Sequence, residues 1–214
     1  MHKNINKILL VLSFFIPFVV YILTMAPTVS FWDCGEFIAT SYILGVPHPP
    51  GAPFYLLLGN IFSSLPLFDD IGAMINFISP IASALSVMFL YLIIVYLIEE
   101  YRGKAKDNLD SMINYGSAFT ASLTFAFTDS HWFNAVEAEV YSVSTFFTSI
   151  VVWMILKWSK NHTKNWNLRY LLIIIYMLGL AIGVHLLNLL TLPFVMLIIY
   201  LSLIHISEPT RQFR

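Results

Sequence analysis

Six apolar runs, each free of Asp, Glu, Lys and Arg, dominate this chain: Ile8–Met25, Ala73–Ile98, Tyr115–Thr128, Val140–Leu156, Leu171–Leu187 and Leu189–His205. A helix crossing a bilayer takes roughly 17–25 such residues. Inside hydrocarbon the backbone must satisfy its own hydrogen bonds, so runs of this kind become helices. The fold expected is therefore an all-α integral membrane protein, a polytopic bundle of about six transmembrane helices. Only 11% of the residues are charged, against about 25% in soluble domains. The third run is short, and the sequence predicts that it continues through Ser130-His131-Trp132-Phe133.

Between the first two runs lies Ala52–Leu67, apolar but broken by Gly59, Asn60, Ser63, Ser64 and Pro66. The positions of the eleven Lys and Arg bear on whether it crosses. None lies between Lys7 and Arg102, or between Lys106 and Lys157. If Ala52–Leu67 stays on one face, the N-terminus, the 99–114 loop, the 157–170 loop and the tail share one side, which the positive-inside rule makes the cytoplasm. If it crosses, two basic loops are exported. The expectation is a re-entrant or interfacial helix after the first outer loop, with both termini cytoplasmic and Asp33, Glu36, Asp69, Asp70, Glu137 and Glu139 on the outer face. The first run is long for a signal peptide and no A-x-A site follows it before Trp32, so an uncleaved span is expected.

The remaining features exclude more than they identify. A net charge of −1 offers no basic patch for nucleic acid, and the single Cys34 excludes an internal disulfide. Residues 1–205 read as one transmembrane domain. Residues 206–214, ISEPTRQFR, change character abruptly and read as an atypical tail, of artefactual origin or simply cytoplasmic.

Chemistry concentrates in Ser30–Tyr55, SFWDCGEFIATSYILGVPHPPGAPFY. If Phe31–Tyr42 is helical, Asp33 and Glu36 share a face at i, i+3. Pro47, Pro49 and Pro50 then stop the helix and stiffen the loop carrying His48. Trp32 places the acids at an interface, where desolvation raises a carboxylate pKa and suits it to general-base work. Glu137 and Glu139 form a second acidic pair, which either hydrates a loop, orients an acceptor or contributes oxygen ligands to a divalent metal. Two carboxylates alone are too few to specify one. His185, after Gly179 and Gly183 in a G-x-x-x-G, is an ionisable residue at membrane depth, hence a functional candidate or an interhelical hydrogen-bonding partner. His131 reads as structural, and Cys34 as a small filler beside Asp33 rather than a nucleophile.

Taken in order, Trp32-Asp33-x-Gly35-Glu36-Phe37, His48-Pro-Pro-Gly-Ala-Pro53, Ala135-Val-Glu-Ala-Glu-Val-Tyr141 and Gly183-Val-His-Leu-Leu-Asn188 resemble motifs of the GT-C class of membrane glycosyltransferases. The likeness is to the protein O-mannosyltransferase superfamily and most closely to the bacterial glycosyltransferase family 117. The resemblance implies a polyprenyl- or dolichyl-phosphate-linked sugar donor and a hydroxyl acceptor, such as protein Ser or Thr, on the extracytoplasmic face of a bacterial inner membrane. It implies Asp33 and Glu36 as catalytic carboxylates, with Trp32, His48, Glu137, Glu139, His185 and Asn188 binding donor or acceptor. No cofactor is implied with certainty. Two departures stand out. The mannosyltransferases carry adjacent acids where Cys34 and Gly35 separate them here, and those families are far longer, so this chain resembles an N-terminal catalytic part expected to be inactive alone. A rival reading is a transporter using Asp33, Glu137 and His185 as a proton path, but no second copy of Ser30–Tyr55 marks an internal repeat. A scaffold without chemistry is the third.

Overall fold

The computed structural model describes residues 2–161 and 167–207, so most of the tail, residues 208–214, and part of the 157–170 loop lie outside it. Ten α-helices and one 3-10 helix occur among the described residues. α1 (His2–Thr24), α5 (Ile78–Arg102), α6 (Asn108–Ala126) and α8 (Val140–Asn161) form the long bundle. α2 (Cys34–Ile43), α3 (Pro53–Ser63), α4 (Ile71–Asn76) and α7 (Asp129–Ala135) are short and lie between them. α9 (Leu168–Ile182), the 3-10 turn Leu186–Leu190 and α10 (Thr191–Ser207) complete the chain.

Among the described residues four helices, not six, are long and apolar enough to cross a membrane: Asn4–Thr24, Ile71–Arg102, Val140–Asn161 and Leu186–Ile204. Two expected spans fall short of this length and apolar character for different reasons. α6 has 19 residues, but Asn114, Ser117, Thr120, Ser122 and Thr124 interrupt its apolar character. Nor does it continue through Ser130–Phe133, since the chain leaves the helix at Phe127 and starts α7 afresh. α9 has only 15 residues and stops at Gly183, a length of roughly 22 Å at 1.5 Å per residue. Ala52–Leu67 contains the eleven-residue α3, with Pro53 in its first turn, about 16 Å and too short to cross.

α5 is the central post, packed against α1, α6 and α8. Its buried Ser79, Ser83 and Ser86 are small enough to let neighbouring helices approach closely. Lys7 near the start of α1, Arg102 at the end of α5 and Lys157 and Lys160 near the end of α8 lie at one end of this bundle. There Tyr91 Oη donates to Asn6 Oδ1 at 2.7 Å, tying the start of α1 to α5, and Lys160 pairs with Glu100 between the ends of α8 and α5. At the opposite end Tyr21 Oη donates to the Ala126 carbonyl at 2.7 Å, and Trp132 Nε1 donates to Thr24 Oγ1 at 3.0 Å. A core of Phe37, Ile38, Tyr55, Ile75, Val143, Phe147 and Val184 joins α2, α3, α4, α8 and the end of α9 at this second end. It is the floor on which the acidic loops rest.

Candidate functional site

α2 begins at Cys34 with Asp33 in the N-cap position, yet the Asp33 side chain makes no capping hydrogen bond. Its carboxylate is exposed and free of a structural task. Glu36 behaves differently. Its Oε1 accepts the His48 amide N–H at 2.7 Å, and its Oε2 meets His48 Nδ1 at 2.7 Å. The reason lies in the sequence. Pro47, Pro49 and Pro50 have no N–H to offer, so His48 supplies the one amide donor in that run. The pairing lowers the Glu36 pKa and raises that of His48, in each case chiefly through their side-chain hydrogen bond. Helix α2 ends before the prolines, with Leu44 in the left-handed region and the Gly45 amide donating to the Thr40 carbonyl at 2.8 Å. A turn then follows, closed by the Gly51 amide on the His48 carbonyl at 2.9 Å. The loop is thus a turn clamped onto Glu36.

The second acidic pair arrives from the loop between α7 and α8. Glu137 is 1% exposed and Glu139 4%. Burial raises the Glu137 pKa, partly offset by hydrogen bonds from Ser30 and the Phe31 backbone; its Oε1 has no partner. Glu139 is pushed up to about 7, first by burial and then by the charges of Asp33 and Glu137, against opposing bonds from the Val140 and Asp33 backbone.

Both acidic loops are fastened by Asn76, which is fully buried at the end of α4. Its Nδ2 donates to the Ala26 carbonyl at 2.9 Å and the Thr28 carbonyl at 2.8 Å. Its Oδ1 accepts the Ala138 amide at 2.9 Å and the Cys34 thiol at 3.6 Å. One side chain therefore fixes the chain entering α2 and the residue between Glu137 and Glu139. Cys34 itself is fully buried with a thiol pKa raised mainly by burial, and acts as the small filler expected of it.

The third contribution comes from the break after α9. The Gly183 carbonyl accepts the Phe54 amide at 2.8 Å, and a Cβ at Gly183 would stand 3.0 Å from the Phe54 Cβ. Gly179, the other half of the G-x-x-x-G, has open space where a Cβ would be. Beyond Gly183 the chain is extended at His185, whose Nδ1 accepts the Leu187 amide at 3.1 Å. In the neutral ring the proton then sits on Nε2, and burial lowers the His185 pKa. Asn188 lines neither of the acidic clefts. It is buried and holds the break together, donating to the Ala181 carbonyl at 2.9 Å and the His185 carbonyl at 3.0 Å while accepting from Thr148 Oγ1 at 3.1 Å.

These loops enclose two adjoining clefts. A narrow one of ≈ 40 Å³ is bounded by Asp33, His48, Glu139, Tyr141 and His185. A wider one of ≈ 270 Å³ is bounded by Trp32, Asp33, Phe133, Glu137, Glu139 and Tyr141. Trp32, 83% exposed with φ 55°, stands at the rim of the second. Asp33, Glu139 and Tyr141 belong to both. Of the residues anticipated from sequence, all but Asn188 and Glu36 thus border a cleft, and Glu36 acts on one through His48. Tyr141 and Asn76 were not anticipated; a lone Asn in the apolar stretch Ile71–Ile78 was the available signal for the latter. Ligand atoms of Asp33, Glu36 and His48 lie within 4.8 Å of one another. Three atoms, with Nδ1 already engaged by Glu36, make an ion pair beside a carboxylate rather than the six oxygen-rich ligands a hard cation takes. Glu137 and Glu139 belong to no such group of three among the described residues.

The family model described as "Protein O-mannosyl-transferase TMEM260 N-terminal domain" matches residues 33–208. The chain belongs to this family. Among curated relatives, it is 26% identical over 147 residues to "Protein O-mannosyl-transferase tmem260" of Dictyostelium discoideum, covering 68% of this chain and 16% of that protein. It is 25% identical over 133 residues to "Protein O-mannosyl-transferase TMEM260" of Mus musculus, covering 62% of this chain and 17% of that protein. The chain thus spans about one sixth of the length of these relatives. No solved structure matches. The family match begins at Asp33 and takes in every residue of the two clefts except Trp32.

Glu139 gives this buried acidic loop a measurable signature. Its folded pKa of about 7 stands above the ordinary glutamate value of about 4.3. Between those values the folded state holds a proton the unfolded state has lost, so stability falls as pH rises through that window. Glu139→Gln should leave stability in detergent unchanged near pH 4 and raise it at pH 8 by on the order of 2 kcal/mol, read as a higher melting temperature at pH 8 only. An equal gap at both pH values would remove burial of the charge as the cause.

Proposed function

We propose that this chain forms the catalytic face of a membrane glycosyltransferase, moving a sugar from a polyprenyl- or dolichyl-phosphate carrier to a hydroxyl, such as a protein Ser or Thr, on the extracytoplasmic side. The observation that carries the reading is convergence. Asp33, His48, Glu139 and His185 come from four separate segments and border one cleft, in a chain of O-mannosyl-transferase family. Asp33, at the mouth and open to solvent, takes the acceptor's proton as that oxygen attacks the anomeric carbon. The bond to the carrier phosphate breaks and the phosphate leaves with the electron pair.

Developing charge on the departing phosphate calls for donors held in place beforehand. Among the described residues no Lys or Arg borders the two clefts. His48, held toward its charged form by Glu36, and His185 are the two imidazoles that border the narrow cleft. Glu139, its pKa pushed up to about 7, carries a proton part of the time near neutral pH, which lowers the negative charge there. On this reading the departing phosphate meets imidazoles and no basic side chain in these clefts. The 214-residue chain by itself is therefore expected to turn over poorly.

Transfer of radiolabelled mannose from a lipid-phosphate donor to a Thr-containing peptide, measured in membranes holding the full-length protein with and without chelator, tests this. Failure with every lipid-phosphate donor, together with proton-coupled solute flux in vesicles, would establish the transporter reading instead. In the same membranes an impermeant thiol reagent should leave Lys104→Cys unlabelled from outside, as a cytoplasmic 99–114 loop requires; labelling would reverse the orientation.

A further inference from the structure

Glu139 is a buried carboxyl group to which the reaction drawn above gives no proton. It is 4% exposed, yet it borders both acidic clefts, and so does Asp33. The two come from separate loops, one leading into α2 and the other into α8. Asn76 ties those loops together, since its Oδ1 accepts the Ala138 amide at 2.9 Å and the Cys34 thiol at 3.6 Å. The contact is also direct: the Asp33 backbone hydrogen-bonds the Glu139 carboxyl group, and the Asp33 charge acts on it.

The other groups around Glu139 do little to neutralise it. Glu137 precedes it in the same loop and repels it. Cys34 from α2 and Tyr55 from α3 feel its charge from the floor. Tyr141 and His185 border the narrow cleft with it. His48, from the proline turn, is the one neighbour held toward a positive charge, and Glu36 already engages its Nδ1 at 2.7 Å. Two neighbouring carboxylates repel each other, and a single shared proton relieves the repulsion. When two such groups interact strongly, their protons come off in steps that belong to the pair. With its pKa pushed up to about 7, Glu139 gains and loses a proton near neutral pH.

We infer that Asp33 and Glu139 act as one coupled pair, and that the proton Asp33 takes from the acceptor hydroxyl is shared with Glu139. The inference rests on the transferase reading, which supplies the hydroxyl. The acceptor O–H bond breaks, its electron pair forms the bond to the anomeric carbon, and the proton enters the pair. The pair then passes from two negative charges to one while the phosphate leaves with its own electron pair. Negative charge beside the cleft thus falls as it grows on the phosphate, which favours the transition state. The proton returns to solvent through Asp33, the exposed member. Glu139 is a positioning residue on this account, acting on the reaction through Asp33.

The test uses the full-length protein in membranes and two readouts. The first is kcat for mannose transfer from a lipid-phosphate donor, followed from about pH 6 to about pH 8. In the wild type it should rise about tenfold over that range, as a single ionisation near neutral pH requires. Glu139→Gln should lose the rise, and Glu139→Asp should keep it. A merely structural role would lower the rate of Glu139→Gln by one factor at every pH. Misfolding does not imitate the expected result, because Glu139→Gln gains stability at the alkaline end. The second readout needs no turnover and is the infrared absorption of protonated carboxyl groups. The wild type should lose a band over the same range that Glu139→Gln lacks and that Asp33→Asn loses at lower pH. A pH rise retained in Glu139→Gln, or a band that Asp33→Asn leaves in place, overturns the inference. Transfer without the band shift removes the coupled pair alone. The band shift without transfer removes the transferase reading, and with it the acceptor as the source of the proton.

Discussion

Asp33→Asn should reduce sugar transfer by roughly 10²–10⁴-fold, the usual contribution of a positioned acid or base, while the protein inserts and melts as the wild type does. The separation of effects follows from what Asp33 does not do. It occupies the N-cap position of α2 without using its side chain there, and it is exposed, so an amide of equal volume costs the fold little. Basicity is what the substitution removes. A second readout accompanies the first: the Asp33 charge is one of the causes that raise the Glu139 pKa, so in Asp33→Asn the pH-dependent loss of stability should move to lower pH. Asp69→Asn, at an exposed bend that borders neither cleft, should be silent in both measurements. Wild-type turnover in Asp33→Asn would remove the general-base assignment, and loss of turnover accompanied by a large drop in melting temperature would reassign Asp33 to a structural role.

Asp33, Glu36 and His48 were legible in the sequence because three ionisable groups among prolines and glycines beside an apolar run have no ordinary structural explanation. Their division of labour was not legible. The i, i+3 spacing puts Asp33 and Glu36 on one face of a helix, which suggests that each acts on the other. The actual partner of Glu36 lies 12 residues on, and only the turn after Leu44 brings His48 back to it. Helix count was misread for a related reason. Hydropathy over Leu171–Leu187 is continuous, but the helix stops where the Gly183 carbonyl leaves its own ladder to accept the Phe54 amide, a tertiary contact that no local pattern carries. The same break turns His185 from a residue inside a span into one on the rim of a cleft, and leaves Asn188 as the strut behind it. Family membership was readable because four separated motifs occur in order, although each by itself is weak.

Replacing Asn76 should be the most damaging change to a residue that touches no cleft. Asn76→Leu keeps the volume and removes every polar contact of a side chain that is wholly buried. The Ala138 amide and the Ala26 and Thr28 carbonyls lose their Asn76 partners at once. Each buried group left unsatisfied costs about 1–3 kcal/mol, so a loss on the order of 3 kcal/mol or more is expected for the set. Transfer should suffer as well, because Ala138 lies between Glu137 and Glu139 and Cys34 follows Asp33. A displacement of about 1 Å in a catalytic group can cost roughly 10²-fold. Asn76→Asp separates the two effects. It retains an oxygen for the Ala138 amide while losing the donors to Ala26 and Thr28, so the Glu139 loop should stay in place as the approach to α2 loosens. Its kcat is expected between those of the wild type and Asn76→Leu, with KM for the acceptor changed less than kcat. Positioning predicts that graded order at a temperature where all three proteins remain folded. If Asn76→Leu melts with the wild type and matches its kcat, the two acidic loops are held by something other than this side chain.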